Sequence, residues 1–442
     1  MTDSPPVSGA APAGPRVSHS RNMVTALIGN GYPAVIAFFT GPILAQALGV
    51  DGRGFVAAAA APLALVTTIA TLGVPEAVTY TVARSPHLAR AAGSRGLVIL
   101  VGAGILATGI VALAAPLLSD GRAPVQRLIY VACLAIVPSL MVAVLRGVAA
   151  AHQRWRLVTL ERICSSTLRL VVLVPFWLTD SLTPLIATIA VAAMPVMGGL
   201  VYAGILRRPK EAGVGTETTG FGALLSYGSR IWIGSLSGVL LMRVDQTILT
   251  PLAGTYALGL YVVAVSISEL PLIINSAVRD VMFVTEAHES VDDRLSASAR
   301  ISTFMSAVIG TALGVSAIWW LPFLFGQDFA AAVPVCGILL VAVVLGMPGS
   351  VAGAGLSARG NPGLRSRSLV VACVVNIALL CLLSPGLGAI GAALATLVGN
   401  LLASNLNLYF LWRVHKVPPS HFYGIRSSDI ATLRRFVTRL MP

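Results

Sequence analysis

The sequence predicts an all-α integral membrane protein with about twelve transmembrane helices in two six-helix lobes, related by an internal repeat around a central cavity. Hydrophobic residues make up 56% of the 442-residue chain and charged residues only 11%. A soluble domain carries about 25% charged residues, so this chain cannot cover a water-facing surface. The apolar residues fall into runs of about 20, the length that crosses the hydrocarbon core of a bilayer as a helix. Two stretches six spans apart resemble each other.

Twelve apolar runs are long enough to span a membrane. They cover residues 23–48, 55–83, 97–118, 128–150, 157–178, 183–206, 224–252, 257–284, 301–325, 333–356, 367–384 and 388–412. We therefore divide the chain into a disordered cytoplasmic tail (1–22), an N-terminal lobe (23–212), a C-terminal lobe (213–412) and a basic cytoplasmic tail (413–442). Apolar residues in the last tail recur at helical spacing opposite arginines, which predicts either an amphipathic helix on the inner leaflet or a frayed end.

The charge distribution predicts that both termini are cytoplasmic. The tails and the loops after even-numbered spans contain 23 of the 30 lysine and arginine residues, whereas the opposite side has only Arg53, Arg122 and Arg127. Basic residues accumulate on the cytoplasmic side of membrane proteins. The net charge of +13 mostly reflects this bias, so it requires no nucleic-acid partner.

An internal repeat is visible at an offset of 205 residues. Residues 43–59 read ILAQALGVDGRGFVAAA, and residues 248–264 read ILTPLAGTYALGLYVVA. The identical pairs are Ile43 and Ile248, Leu44 and Leu249, Gly49 and Gly254, Gly54 and Gly259, and Ala59 and Ala264. Six spans is an even number, so the two halves are expected to share one orientation. Transporters with repeats place the substrate between the halves and move the halves alternately.

Two charges interrupt the seventh span, in LLMRVDQTIL (240–249). Charged side chains are costly inside a membrane and face a bundle interior or a wet cavity. Successive helical residues rotate by about 100°, so Arg243 and Asp245 point nearly opposite ways and cannot easily pair with each other. At least one of them must find a partner on another helix or face water.

The fifth span carries a polar stripe in LVTLERICSSTLRLVVL. Glu161, Ser165 and Arg169 follow each other at intervals of four, and Arg162 and Ser166 lie on the same stripe. Arg169 is about 12 residues into the span, or about 18 Å, close to the midplane. We expect this stripe to face a bundle interior or a water-filled cavity.

Three more charges lie within spans: Glu76 after Pro75, Arg230, and Glu269 before Pro271. A proline leaves helix carbonyls free and allows a bend, which membrane helices tolerate where they line a cavity. The spans thus hold four arginines and four acids. The arginines are Arg162, Arg169, Arg230 and Arg243, and the acids are Glu76, Glu161, Asp245 and Glu269.

Two hypotheses follow from these eight charges. In the first, some of the arginines bind an anionic group such as a lipid-linked pyrophosphate, because guanidinium donors match phosphate oxygens. In the second, the eight charges pair and only hold helices together. The acids would serve ion coupling or structural pairing, and Glu269 and Asp245 could bind a cation or a proton.

Signatures of other chemistries are missing from the sequence. It has no GxxxxGK[ST], HExxH or GxSxG motif, so we predict no enzyme, no metal site and no cofactor. The cysteines lie within apolar runs without metal-ligand spacing, which indicates small packing residues. They are Cys133, Cys164, Cys336, Cys373 and Cys381.

Six stretches in order carry a resemblance to a known family. They are ALGVDGRG (47–54), LGVPEAVTYTVAR (72–84), MRVDQTILTPLAGTYALGLYVVA (242–264), FLFGQDFAAA (323–332), LSARGNP (356–362) and GAIGAALATLVGN (388–400). Together with the twelve spans, they resemble the Wzx-type polysaccharide flippases of the multidrug/oligosaccharidyl-lipid/polysaccharide exporter superfamily. The resemblance covers about residues 23–412.

The resemblance implies a flippase in a bacterial cell (inner) membrane. It would move undecaprenyl-pyrophosphate-linked oligosaccharide from the cytoplasmic to the outer leaflet by alternating access, for polysaccharide export. Its partners would be the lipid-linked oligosaccharide, membrane lipids, and a glycan polymerase and glycosyltransferases of the same pathway. Arg243, Asp245, Glu76 and Glu269 match the family's charged features.

Two alternatives remain open at the level of the sequence. A drug or cation antiporter of the same superfamily should have mainly acidic cavity residues, whereas these spans hold arginines and acids in equal number. A membrane-embedded glycosyltransferase or polymerase would need acidic residues on substantial external loops. Here Asp51, Asp120, Asp180 and Asp328 lie in short ones.

Overall fold

The computed structural model describes residues 19–206, 220–272, 276, 291–424, 426 and 429, and helices dominate this part of the chain. Its α-helices are α1 (His19–Ala70), α2 (Val74–Arg84), α3 (Ala89–Leu118), α4 (Ala123–Cys133), α5 (Ile136–Ala151), α6 (Trp155–Leu178), α7 (Pro184–Gly198), α8 (Phe221–Ser268), α9 (Asp292–Phe325), α10 (Ala332–Ala358) and α11 (Pro362–His415). Short 3₁₀ turns follow α2, α7, α9 and α11. Most of the first tail, the boundary between the two predicted lobes, and the apolar residues of the predicted amphipathic helix lie outside the described residues.

Three of the long helices are each two antiparallel spans that reverse at one glycine. The reversal points are Gly49 (φ 65°), Gly254 (φ 81°) and Gly388 (φ 58°). Side chains with a Cβ are strained at these angles, so glycine is favoured there. The reversal in α8 is evident because Tyr261 donates a hydrogen bond to Asp245, 16 residues away. A straight helix would separate these residues by about 24 Å.

Counting spans on this basis gives twelve within the described part of the chain, in agreement with the number expected from the sequence. Eight helical stretches are long and apolar enough to cross a membrane, and three of them contain a reversal, which makes eleven spans. The twelfth is α6, whose hydropathy is lowered by Glu161, Arg162 and Arg169. The outer surface carries large apolar side chains such as Leu113 and Phe323, which are 85% and 79% exposed. This exposure fits contact with lipid.

The two reversals related by the repeat pack against each other. A Cβ on Gly54 would overlap the carbonyl oxygen of Thr255, and a Cβ on Gly259 would overlap the carbonyl oxygen of Val50. Val50 and Thr255 are themselves 205 residues apart, so the contact is symmetric between the halves. Glycine is required at both positions because the backbones touch. The Thr255 hydroxyl also donates to Asp51 (2.9 Å).

A second close contact joins the halves at the opposite end of the molecule. A Cβ on Gly73 would overlap the carbonyl oxygen of Gly228, and a Cβ on Gly228 would crowd the Gly73 carbonyl. The Tyr80 and Tyr227 rings stack beside them, 4.3 Å apart. Gly73 lies in the break between α1 and α2, just before Pro75. The bend expected at this proline is therefore present, and it brings the second span against α8.

The segment after α11 folds back onto the helix ends. Arg300, at the start of α9, donates two hydrogen bonds to Asp429 (2.7 and 2.8 Å) and a third to the carbonyl of His421 (2.6 Å). The Arg300 and Asp429 side chains are each 3% exposed. Phe422 and Val417 are buried among side chains of α9, α10 and α11. This part of the tail is thus held by the bundle itself.

Removing the Asp429 carboxylate should release this segment. In Asp429→Asn we expect trypsin to cleave after Arg426 several-fold faster than in the wild type, because one partner of a buried ion pair is lost. Digestion of the purified protein followed by mass spectrometry measures this rate. Asp328→Asn changes an exposed carboxylate far from the tail and should leave the rate unchanged, and equal rates in both variants would contradict the docking.

The same contact predicts a pH dependence. The hydrogen bonds from Arg300 hold the pKa of the Asp429 carboxyl below its ordinary value. A lowered pKa in the folded state means that the contact stabilises docking at neutral pH and is lost only as pH falls through that lowered value. The rate of trypsin cleavage after Arg426, divided by the rate for an unstructured reference peptide at the same pH, should therefore stay constant from about pH 8 to 6, above the ordinary range of aspartate.

The glycine contact between the halves is testable by a single methyl group. Gly54→Ala should lower the free energy of unfolding by about 1–3 kcal/mol, because the added Cβ would overlap backbone atoms, which cannot move aside as a flexible side chain can. Thermal unfolding in detergent measures the effect. Gly109→Ala is the matched control, since an added Cβ at Gly109 meets nothing within 4 Å. Equal stability of both variants would show that the backbones do not touch.

Candidate functional site

A cavity of about 850 Å³ lies between the first six spans and α8. It is lined by α1, the start of α2, α5, α6 and α7 from the first half, and by both spans of α8 from the second half. Many of its side chains are small, including alanines and threonines of α1. Among the described residues, its charged lining consists of Arg53, Glu76, Arg146, Arg169 and Arg243. The cavity therefore has a surplus of positive charge.

Arg146 is the most firmly held of these arginines. Its Nε donates to Glu161 Oε2 (3.0 Å) and its Nη2 donates to Oε1 (3.1 Å), which is a bidentate pair. The Tyr202 hydroxyl also donates to Glu161 (3.3 Å). Glu161 is 3% exposed, whereas the Arg146 side chain is 40% exposed. The carboxylate thus lies behind the guanidinium, fixes it at the cavity wall and neutralises part of its charge.

Arg243 and Asp245 have separate partners, as expected from their two-residue spacing. Arg243 forms an ion pair with Glu269 (3.4 Å). Asp245 is buried and accepts hydrogen bonds from the Tyr261 hydroxyl, from Thr396 (3.5 Å) and from the backbone of Gln246 (2.7 Å). Arg243 faces the large cavity, whereas Asp245 lines a second cavity of about 220 Å³ in the second half.

Arg53 and Arg169 have no acidic partner among the described residues. The Nε atom of each is buried and has no hydrogen-bond partner within the described part of the chain. The two guanidinium groups are close enough to repel each other. Buried donors without acceptors and two like charges side by side are unfavourable unless an anion or water occupies the space between them.

The predicted stripe of α6 is only partly in the cavity. Arg169 lines it, whereas Glu161, Ser165 and Ser166 are buried between helices. Ser165 donates to the carbonyl of Glu161 (2.7 Å). Arg162 is half-buried and does not line the cavity. The stripe thus faces the bundle interior as expected. Of its residues, Arg169 alone lines the cavity.

The remaining predicted residues lie in different places. Glu76 is at the cavity wall, in the first turn of α2. Arg230 is exposed on α8 and does not line the cavity. Glu269 lines the second cavity while it pairs with Arg243, so this pair lies between the two spaces.

Sequence reasoning missed two cavity residues, Arg53 and Arg146. Both were counted as loop residues for the orientation of the chain. Arg146 lies inside the apolar run IVPSLMVAVLRGVAAA of α5, and that setting could have identified it as a buried charge. Arg53 lies one turn after the reversal at Gly49. The sequence does not show that this turn is a single glycine, which leaves Arg53 on the helix.

The arginines occupy different depths in the cavity. Arg53 is next to the reversal at Gly49, and Arg169 interacts with it. Arg146 is near the opposite end, five residues before α5 ends at Ala151. Arg243 lies eleven residues before the reversal at Gly254, about 16 Å along the helix. Arg243 and Arg146, which pair with acids, therefore lie toward the middle of the cavity and toward the end of α5. Arg53 and Arg169, which have no acidic partner among the described residues, lie toward the reversal at Gly49.

The fold is that of known transporters. The structure of the lipid II flippase MurJ in an inward closed conformation superposes with a TM-score of 0.73 at 13% identity, covering 95% of this chain and 92% of that one. An inward-facing multidrug resistance MATE family transporter of the MOP superfamily gives 0.68 at 16% identity, covering 89% and 98%. A MOP superfamily transporter from Pyrococcus furiosus gives 0.61 at 15% identity, covering 92% and 96%.

The family is shown by the sequence itself. The pattern of the family described as polysaccharide biosynthesis protein matches residues 20–283, more than half of the chain. No curated protein gives a significant match. The resemblance noted from the six sequence stretches is thereby confirmed. The chain is a multi-pass membrane protein that belongs to the polysaccharide biosynthesis protein family and has the fold of the MOP superfamily transporters.

Proposed function

We propose that the chain is a flippase that moves undecaprenyl-pyrophosphate-linked oligosaccharide from the cytoplasmic to the outer leaflet of a bacterial inner membrane. The observation that carries the proposal is the pair Arg53 and Arg169, two arginines that face a cavity of about 850 Å³ with no acidic partner among the described residues. A pyrophosphate supplies the oxygens that these donors lack, and guanidinium groups bind such oxygens in bidentate fashion.

The distribution of charge along the cavity favours movement of the anionic group from the cytoplasmic end toward the outer end. With the basic side as the cytoplasmic one, Arg146 lies toward the entrance and the unpaired arginines lie toward the outer end. Glu161 reduces the attraction of Arg146 for an anion, and Glu269 does the same for Arg243. A pyrophosphate therefore binds most strongly near Arg53 and Arg169, close to its exit. The lipid tail stays in the bilayer.

The two glycine contacts support alternating access. In this proposal the halves are six-span lobes, 23–212 and 213–412, that rock against each other. The contact of Gly54 with Gly259 closes the outer end, and the contact of Gly73 with Gly228 closes the cytoplasmic end. Opening the outer end breaks the hydrogen bond from Thr255 to Asp51, and opening the cytoplasmic end separates the stacked rings of Tyr80 and Tyr227. The substrate thus passes without a continuous channel.

Asp245 is the residue that we assign to ion coupling. It is a buried carboxylate with only hydroxyl and amide donors around it in direct hydrogen bonding. Binding a cation or a proton there would change the packing of the second half, which adjoins the substrate cavity through the pair of Arg243 and Glu269. We place the glycosyltransferases before this transport step and the glycan polymerase after it.

A drug or cation antiporter is not favoured by the cavity. Its charged lining among the described residues is four arginines and one glutamate, which repels an organic cation. The sequence alone indicated equal numbers of arginines and acids in the spans. The structure shifts this balance because Glu161, Asp245 and Glu269 do not line the cavity.

Loss of either unpaired arginine should abolish most transport. In Arg53→Gln and Arg169→Gln we expect export of the polymer to fall about 10–100-fold, because a charge-assisted hydrogen bond to phosphate contributes roughly 1.5–3 kcal/mol. Arg243→Gln should have a smaller effect, since Glu269 already reduces its charge. Export per unit of membrane-inserted protein, measured by immunoblot of extracted polymer, tests this. Arg230→Gln is the control, and wild-type export in both Arg53 and Arg169 variants would refute the anion site.

The direction of transport is tested in a strain that lacks the chain. A non-permeant lectin reports lipid-linked oligosaccharide on the outer leaflet, and lysis reports the total. We expect intermediates to accumulate on the cytoplasmic side. If they reach the outer leaflet but remain unpolymerised, the chain acts as a polymerase or ligase, and if they are unchanged it is a drug exporter.

A further inference from the structure

Two cavities adjoin each other inside the second half of the protein. The second cavity (about 220 Å³) contains Asp245, and a third (about 520 Å³) lies among α8, α10 and α11. They share five lining residues: Leu241, Met242, Gly346, Ser350 and Asn400. Together they form one space that runs from Asp245 to Arg365, at the start of α11.

This space is polar along one wall. Ser350 and Asn400 lie where the two cavities meet, and Ser404 and Asn407 follow along α11. Ser404 accepts a hydrogen bond from the backbone nitrogen of Gly349 (3.0 Å), and Asn407 donates to the carbonyl of Gly349 (3.0 Å). These bonds hold α10 against α11 and turn the polar side chains toward the space.

Water in this space would bind the polar groups at the surface of the wall. Asn407 is 4% exposed, and its Oδ1 is itself buried with no hydrogen-bond partner among the described residues. Ser350 and Asn400 are only partly buried, and they lie where the two cavities meet. A cavity of this size has room for several waters, and these side chains can hydrogen-bond to them.

The two ends of the space differ in character. At the inner end, Asp245 is bonded to Tyr261 and Thr396 and is faced by the charges of Glu269 and Arg243 and by the thiol of Cys373. At the other end are Pro362, Arg365 and Ser366, next to the loop that joins α10 to α11. That loop belongs to the basic side of the molecule.

We propose that this space is a water-filled passage through which Asp245 exchanges a proton with the side of the membrane that carries Arg365. The Asp245 end of the passage shares no lining residue with the substrate cavity. The inference rests on the proposed function and deepens the assignment of Asp245 to ion coupling. A proton moves along waters and the hydroxyl groups of the wall. The guanidinium of Arg365 disfavours a metal cation at the entrance.

Hydration of the passage is measured by cysteine labelling. In a background with the five native cysteines replaced by alanine, Ser350→Cys and Ser357→Cys, two partly buried positions that line this space, should react with a charged, membrane-impermeant methanethiosulfonate. Inside-out and right-side-out vesicles are compared, and the cysteines should react only when the reagent is on the Arg365 side of the membrane. Gly363→Cys, with open space around it, is the positive control, and Ala352→Cys, fully buried on α10, is the negative control.

Access to Asp245 is measured with a water-soluble carbodiimide, which modifies protonated carboxyl groups. Mass spectrometry should show modification of Asp245 from the Arg365 side, increasing as pH falls. Asn400→Leu should slow it about tenfold by closing the point where the cavities meet. Modification from the opposite side, an unchanged rate in Asn400→Leu, or no reaction in Ser350→Cys and Ser357→Cys would each overturn the passage. Protection of Asp245 by Na⁺ at constant pH would overturn proton exchange in favour of a metal cation.

These assays follow labelling and need no transported substrate. Failure of the passage therefore leaves the flippase proposal to its own test by lectin binding. Loss of export in Arg53→Gln or Arg169→Gln would likewise say nothing against the passage.

Discussion

The burial of arginine in a membrane is the constraint that organises this protein. A guanidinium group stays charged, so inside a bilayer each one needs an acid, a set of acceptors or water. Arg146 and Arg243 meet this need with Glu161 and Glu269. Arg53 and its neighbour Arg169 have no acidic partner among the described residues and face a cavity. The helices are placed so that both solutions are present on opposite sides of one space.

The two halves approach each other most closely through their backbones. At Gly54 and Gly259, and again at Gly73 and Gly228, the chains approach so closely that no Cβ fits. Side chains beside these contacts also join the halves, because the Tyr80 and Tyr227 rings stack and Thr255 donates a hydrogen bond to Asp51. In the proposed alternating access, these contacts would close an end of the cavity in one state and separate in the other. The symmetry of the first contact arises because the repeat places the same turn on each half.

The two halves differ in what they hold. The first half supplies most of the wall of the large cavity and all of its arginines except one from α8. The second half has a polar interior of its own, with Asp245, Asn400 and Asn407 along one continuous space. The basic cavity and the buried carboxylate of Asp245 thus lie in different places, with the ion pair of Arg243 and Glu269 between them. In the proposed mechanism, coupling depends on a response of this ion pair to the protonation state of Asp245.

The twelve spans, the glycine turns of the repeat and the cost of each buried charge could be predicted from the sequence, because the length and hydropathy of a segment decide whether it crosses a bilayer. The separation of Arg243 from Asp245 was predictable too, since helical rotation alone keeps them apart. The fold was needed to see that Arg146 pairs with Glu161, that Arg53 faces the cavity and that Arg230 does not. Those outcomes depend on which helices are neighbours and on where a turn ends. Both are determined by contacts between side chains that are distant in sequence.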